Sequence, residues 1–215
     1  MSAFHIDRAR RLVAARDWPA ALEAVALAVQ ASPQDPSAWY FKGTVEMAAR
    51  RPGEAAASAA RATLLDPADG RSWFLAGNAA QELGDEAGAR AAYDRAVEAL
   101  PRWALAWSRV GTLAFDAGDL GRAEHAFTQA IECDASHARS WNNLALVRLA
   151  RGDPARAEDA LKRALALSPD YSMAYRNLAR VAAARGDGTR QQVYSMLAER
   201  IDAIRAEEAA APGIQ

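Results

Sequence analysis

The 215 residues include one cysteine, two lysines, four asparagines and no long apolar run. The lone Cys133 excludes an internal disulfide framework. No stretch approaches the roughly 20 consecutive apolar residues that span a membrane. The opening MSAFHIDRARRLVAARDW carries Asp7, Arg8, Arg10 and Arg11 where a signal peptide would have its apolar core. A cytoplasmic protein with no membrane insertion is therefore expected. A formal net charge of -1 provides no global attraction to nucleic acid, so none is expected as a partner. Cys133 and His137 are two candidate ligands where a metal site usually takes three or four. No phosphate-cradling glycine loop occurs, and the GDG at 186–188 reads as a connection between helices. Neither catalytic residues, nor a metal, nor a cofactor is expected.

What is present is a period. Trp39, Trp73, Trp107 and Trp141 stand 34 residues apart, and Tyr175 continues the row. Gly43, Gly77 and Gly111 keep the same step, as do Ala21, Ala55, Ala89, Ala123 and Ala157. Pro33, Pro67, Pro101 and Pro169 close the units. Within each period an apolar-periodic run stops at a glycine, as at Gly84, Gly118, Gly152 and Gly186. There a left-handed residue ends a helix without a Cβ penalty. The following Asp85, Asp119, Asp153 and Asp187 supply N-caps for a second run. The glycine and alanine rows predict places where helices approach closely.

This pattern resembles the tetratricopeptide repeat (TPR) family, a 34-residue helix–turn–helix unit. The resemblance rests on the tryptophan, glycine, alanine and proline rows together with Tyr93 and Phe127. It implies an all-α, right-handed α-solenoid with units starting near 2, 36, 70, 104, 138 and 172. The array is expected over 1–188, and an extended capping helix with a frayed tail over 189–215. Val193, Met196, Leu197, Ile201 and Ile204 share one stripe of that last helix, and Glu207 and Glu208 suit an end facing water. The final APGIQ is expected to fray.

Rows that repeat are packing rows; rows that vary are free for recognition. In the family, the varying side of each first helix lines a groove, and the resemblance implies the same here. The rows run Asp7, Phe41, Leu75, Arg109, Asn143, Asn177; Ile6, Tyr40, Phe74, Ser108, Asn142, Arg176; and Arg10, Thr44, Asn78, Thr112, Leu146, Arg180, with Arg71 and Arg139 beside them. Early units therefore offer the aromatics Tyr40, Phe41 and Phe74, and late units arginines and amides. All four asparagines fall on first helices, at a propensity cost of up to about 0.7 kcal/mol each against alanine. Their carboxamides suit the backbone of an extended peptide, as in the asparagine-lined grooves of O-GlcNAc transferase and kinesin light chain; alternatively they tie one repeat to the next. On the first reading, Asn143 and Asn177 changed to Ala leave the melt nearly unaltered. Arg109, Arg139, Arg176 and Arg180 suit acidic side chains or a terminal carboxylate. Tyr40, Phe74 and Ser108 occupy the slot where co-chaperone repeats carry a leading lysine, which disfavours a chaperone-tail receptor.

The expected function is a non-catalytic scaffold or adaptor holding an extended protein segment in the groove. The alternatives are a self-assembling oligomer joined through the C-terminal helix, and the non-catalytic subunit of an enzyme complex.

Overall fold

A computed structural model describes residues 2–210; the tail 211–215, where fraying was expected, lies outside them. Twelve α-helices and no strand occur among the described residues. They form two compact units, Met1–Ala106 and Trp107–Gln215. The first contains three helical hairpins: α1 (Ser2–Ala14) with α2 (Trp18–Ala31), α3 (Pro36–Ala48) with α4 (Pro52–Leu65), and α5 (Gly70–Glu82) with α6 (Glu86–Ala99). The second unit holds all but the first three residues of α7 (Ala104–Asp116), with α8 (Leu120–Cys133), α9 (Ala138–Ala150), α10 (Pro154–Leu167), α11 (Ser172–Ala184) and α12 (Gly188–Ala210).

The repeating rows are packing rows. Ala21, Ala55, Ala89, Ala123 and Ala157 are fully buried. A Cβ added at Gly77 would stand 2.6 Å from the Tyr93 ring, and one at Gly111 2.8 Å from Phe127. The missing side chain is what lets each first helix seat the aromatic ring of its second. The tryptophans have a further role that spacing alone does not reveal. Trp39 Nε1 donates to Pro33 O at 2.9 Å, Trp73 Nε1 to Pro67 O at 2.9 Å, and Trp141 Nε1 to Ala135 O at 3.0 Å. Each indole thus clamps the connection that enters its own hairpin, a hydrogen bond worth about 1 kcal/mol.

Helix ends obey the same period. Gly84, Gly118, Gly152 and Gly186 have φ between 73° and 78°, and the next residue's N–H reaches back to a carbonyl five residues earlier, as from Asp85 to Ala80. Asp85, Asp119 and Asp153 then accept the N–H of Gly88, Arg122 and Arg156. In the first two hairpins the left-handed position is held by Arg16 (φ 57°) and Arg50 (φ 61°) instead. A non-glycine residue there costs about 1–2 kcal/mol. Glycine would return about 0.4–1 kcal/mol of that through the unfolded chain. Arg50→Gly should therefore stabilise the protein, raising the thermal midpoint by about 2–4 °C per kcal/mol gained; a calorimetric scan reads it directly.

The last hairpin departs from the rest. The alanine row ends in the exposed Gln191, and α12 packs on α11 through Tyr194 and the buried Ala198. Four of the five stripe residues, Val193, Met196, Leu197 and Ile204, face away from that contact and are exposed.

Candidate functional site

The first helices α7, α9 and α11 carry the late-unit candidates. Asn142 and Asn177 are 2% and 3% exposed, and Asn177 Nδ2 donates to Asn142 Oδ1 at 2.8 Å. Asn142 Nδ2 in turn donates to the half-buried Asn143 Oδ1 at 3.1 Å. The reading in which Asn142 and Asn177 meet a peptide is corrected by that geometry: their carboxamides are sealed between α9 and α11 and satisfy each other. Two polar groups that would otherwise be buried unpaired are thereby neutralised. Of the three, only Asn143 retains access to a ligand. Asn177→Ala should consequently cost about 1–3 kcal/mol by orphaning the Asn142 oxygen, whereas Asn143→Ala should cost well under that. Urea unfolding of the two single variants measures the difference.

The arginines divide similarly. Arg176 is exposed and paired with Asp202 of α12. Arg139 is exposed beside Tyr171, whose hydroxyl burial pushes above its ordinary pKa while the Arg139 charge and hydrogen bond pull it back. Arg180 is exposed, reaches Asn177 Oδ1 only at 3.5 Å, and lines a polar cleft of about 330 Å³ that also holds Arg176 and Glu199. Arg109 is half-buried, and its Nε is buried with no hydrogen-bond partner among the described residues. Thr112, one turn along α7, donates its hydroxyl to Ser108 O at 2.9 Å. A basic strip thus survives on this face, with Arg109 and Arg180 as its least committed cations.

In the first unit Phe74 is interior, which corrects its placement in the groove, while Tyr40 and Phe41 stay part-exposed. Phe74 is 9% exposed, its ring centroid 4.5 Å from Trp103 and 5.4 Å from Tyr93. Phe41 packs on the cluster of Ala9, Ala21, Val25 and Val45, with the Arg10 guanidinium over its ring. Tyr40 stays half-exposed beneath Arg71 at 5.4 Å. The Thr44 hydroxyl bonds its own helix at Tyr40 O, 2.7 Å away. Asn78 accepts from the buried Tyr93 hydroxyl at 2.7 Å, so it serves the core. Beneath this face Glu46, 1% exposed, is paired with Lys42 and accepts from Ser58 Oγ at 2.6 Å. Sequence reasoning passed over that triad, whose one signal was the rarity of lysine.

Among the described residues no group of three or more His, Cys, Asp and Glu is placed to hold a metal ion, and no helix is long and apolar enough to cross a membrane. A tetratricopeptide repeat profile matches residues 6–62, 42–102, 110–172 and 143–212. The chain belongs to the tetratricopeptide repeat family. Structures with the TPR fold resemble it. PilW, a widely conserved type IV pilus biogenesis factor, is 18% identical with a TM-score of 0.76, over 90% of each chain. YrrB, described as a TPR protein with an unusual peptide-binding site, is 22% identical with a TM-score of 0.66, over 79% of this chain and 88% of its own. MamA from Desulfovibrio magneticus RS-1 is 16% identical with a TM-score of 0.71, over 78% and 94%. At such identities the likeness establishes the fold. None of the curated proteins matches the chain. TPR proteins are in general protein-interaction scaffolds, and the varying first-helix rows of this one are its candidate contact surface.

Proposed function

We propose that the chain is a non-catalytic adaptor whose α7, α9 and α11 face binds an extended, acidic protein segment. The observation that supports this most is Arg109, a half-buried guanidinium whose buried Nε finds no acceptor among the described residues. A cation held part-way out of water without a partner favours an incoming carboxylate, which a guanidinium takes bidentately. Arg180 stands two repeat steps further along, with Asn143 between them. Helix axes spaced 8–10 Å apart put the two arginines roughly 16–20 Å from each other, a span of about five or six extended residues. Asn143 supplies a carboxamide for the segment's backbone midway. Arg176 and Arg139 reinforce the field while held by Asp202 and Tyr171.

The test is fluorescence anisotropy with a labelled, Asp- and Glu-rich hexapeptide and its Asn/Gln counterpart. The acidic peptide should bind, its affinity should fall with salt, and the Asn/Gln peptide should not compete. Arg109→Ala with Arg180→Ala removes two charge-assisted contacts and should weaken binding about ten- to a hundredfold. Binding indifferent to both substitutions rejects the site.

A further inference from the structure

The last helix begins in register with the other second helices and then outruns them. Helices α2, α4, α6, α8 and α10 are each 14 residues long, whereas α12 has 23. Residues 202–210 therefore have no counterpart in the earlier hairpins. Among the described residues, two ion pairs fasten this extension to the start of α11. Asp202 pairs with Arg176 of α11, and Arg205 Nη2 stands 2.6 Å from Asp170 Oδ2 in the connection just ahead of it. Residues 203–209 are all exposed, so no buried apolar side chain adds to these contacts.

The arginine so occupied is one of the groove-row cations. Arg176 stands one helical turn before Arg180, and both line the polar cleft of about 330 Å³ that Glu199 shares. Across it α12 presents Glu199 and, three residues further on, Asp202. One hairpin earlier the Ser195 and Glu199 positions hold Leu161 and Leu165, both packed in the cluster to which α11 contributes. A solenoid end that faces water accounts for polar residues in their place. It does not account for a carboxylate, beyond the ordinary helix length, that reaches back to a groove cation.

We infer that residues 202–210 form an acidic strap that competes with the incoming segment for Arg176. Asp202 gives that cation the same group an acidic side chain would offer, so binding exchanges one carboxylate for another. Both fastenings are open to solvent, the side chains being 50% and 38% exposed at Arg176–Asp202 and 50% and 66% at Arg205–Asp170. Such pairs are individually weak and are screened by salt, so a ligand can displace the strap. The hairpin itself stays closed, because Tyr194 and the buried Ala198 hold α12 on α11 ahead of the extension. With the strap lifted, Arg176 joins Arg180, and the segment meets two cations at that end where it otherwise meets one. The site then favours a segment with two acidic residues close together where it crosses α11. This inference rests on the acidic-segment reading of α7, α9 and α11 and adds a regulation to it.

Anisotropy with the labelled Asp- and Glu-rich hexapeptide, on the full chain, tests the strap. Asp202→Asn should tighten binding about two- to fivefold, the worth of one exposed ion pair no longer contested. In an Arg176→Ala background the same substitution should bring no gain, because the disputed cation is gone. Arg205→Ala is the sharpest variant, since two effects oppose each other in it. Loss of a positive charge by itself weakens an acidic ligand's binding, whereas loosening the strap strengthens it. Binding should tighten about twofold. Melts of these surface variants should match wild type. Three results overturn the strap and leave the acidic-segment site standing: Asp202→Asn binding no tighter than wild type, a gain that persists without Arg176, or weaker binding by Arg205→Ala. Acidic peptide bound by neither wild type nor any variant overturns both.

Discussion

Gly77→Leu should lower the thermal midpoint by about 4–8 °C, the shift expected for roughly 2 kcal/mol in a chain of this size. Two effects oppose each other at this position. Replacing a helical glycine by a better helix former ordinarily gains about 1 kcal/mol. Against that, even the first added carbon would lie 2.6 Å from two carbons of the Tyr93 ring. Tyr93 is fully buried against Phe74 and its hydroxyl is held by Asn78, so the ring has nowhere to swing. Overpacking of this kind typically costs about 1–3 kcal/mol and occasionally more, and leucine adds three further carbons. The sterics win. Gly77→Ala is the informative companion: it should also destabilise, by less, despite its gain in propensity. A melt of either variant that matches wild type would mean that α5 and α6 are not in the contact described.

Lys42→Met is the second large effect. It leaves the Glu46 carboxylate, 1% exposed, with only the Ser58 hydroxyl for a partner. Removing one member of a buried ion pair costs about 3–5 kcal/mol, because the remaining charge is uncompensated. The Lys42 side chain is 22% exposed, so water can partly replace it and the low end of that range is expected. The decisive comparison is the double variant Lys42→Met, Glu46→Leu. With both charges gone, most of the loss should return, because the ion pair contributes little over an apolar pair of similar volume. Chemical denaturation of wild type, both single variants and the double variant provides the coupling energy. A double variant as unstable as Lys42→Met would locate the cost in packing instead.

The architecture was legible because it is written several times over. A glycine stop, an aspartate cap and an alanine contact recur at one period, and each has a local cause that neighbours do not alter. The surface was less legible. Angular position on an isolated helix puts Asn142 and Asn143 together on the outer side, but the stacking of α11 on α9 closes over Asn142 and leaves Asn143 half open. Phe74 was misread for a related reason: Trp103, in the connection after α6, folds across it, and a loop residue leaves no periodic trace. The stripe on α12 could be seen in the sequence, yet a stripe does not say which neighbour it faces. Arg16 and Arg50 stand in the glycine row without any mark of the backbone they adopt. Periodicity reports what each unit does alone; the misreadings sit where one hairpin meets the next.

The Asn142–Asn177 pair makes the last two modules unequal to the others as building blocks. Shortening the protein by a whole period ahead of α9 would leave α9 and α11 matched, whereas trimming after α10 would part Asn142 from Asn177 and bare the apolar cluster of Ala145, Ala160, Leu161 and Ala164 that α11 covers. A nested truncation series should therefore lose solubility out of step with length, with its sharpest break where the chain ends between 168 and 176.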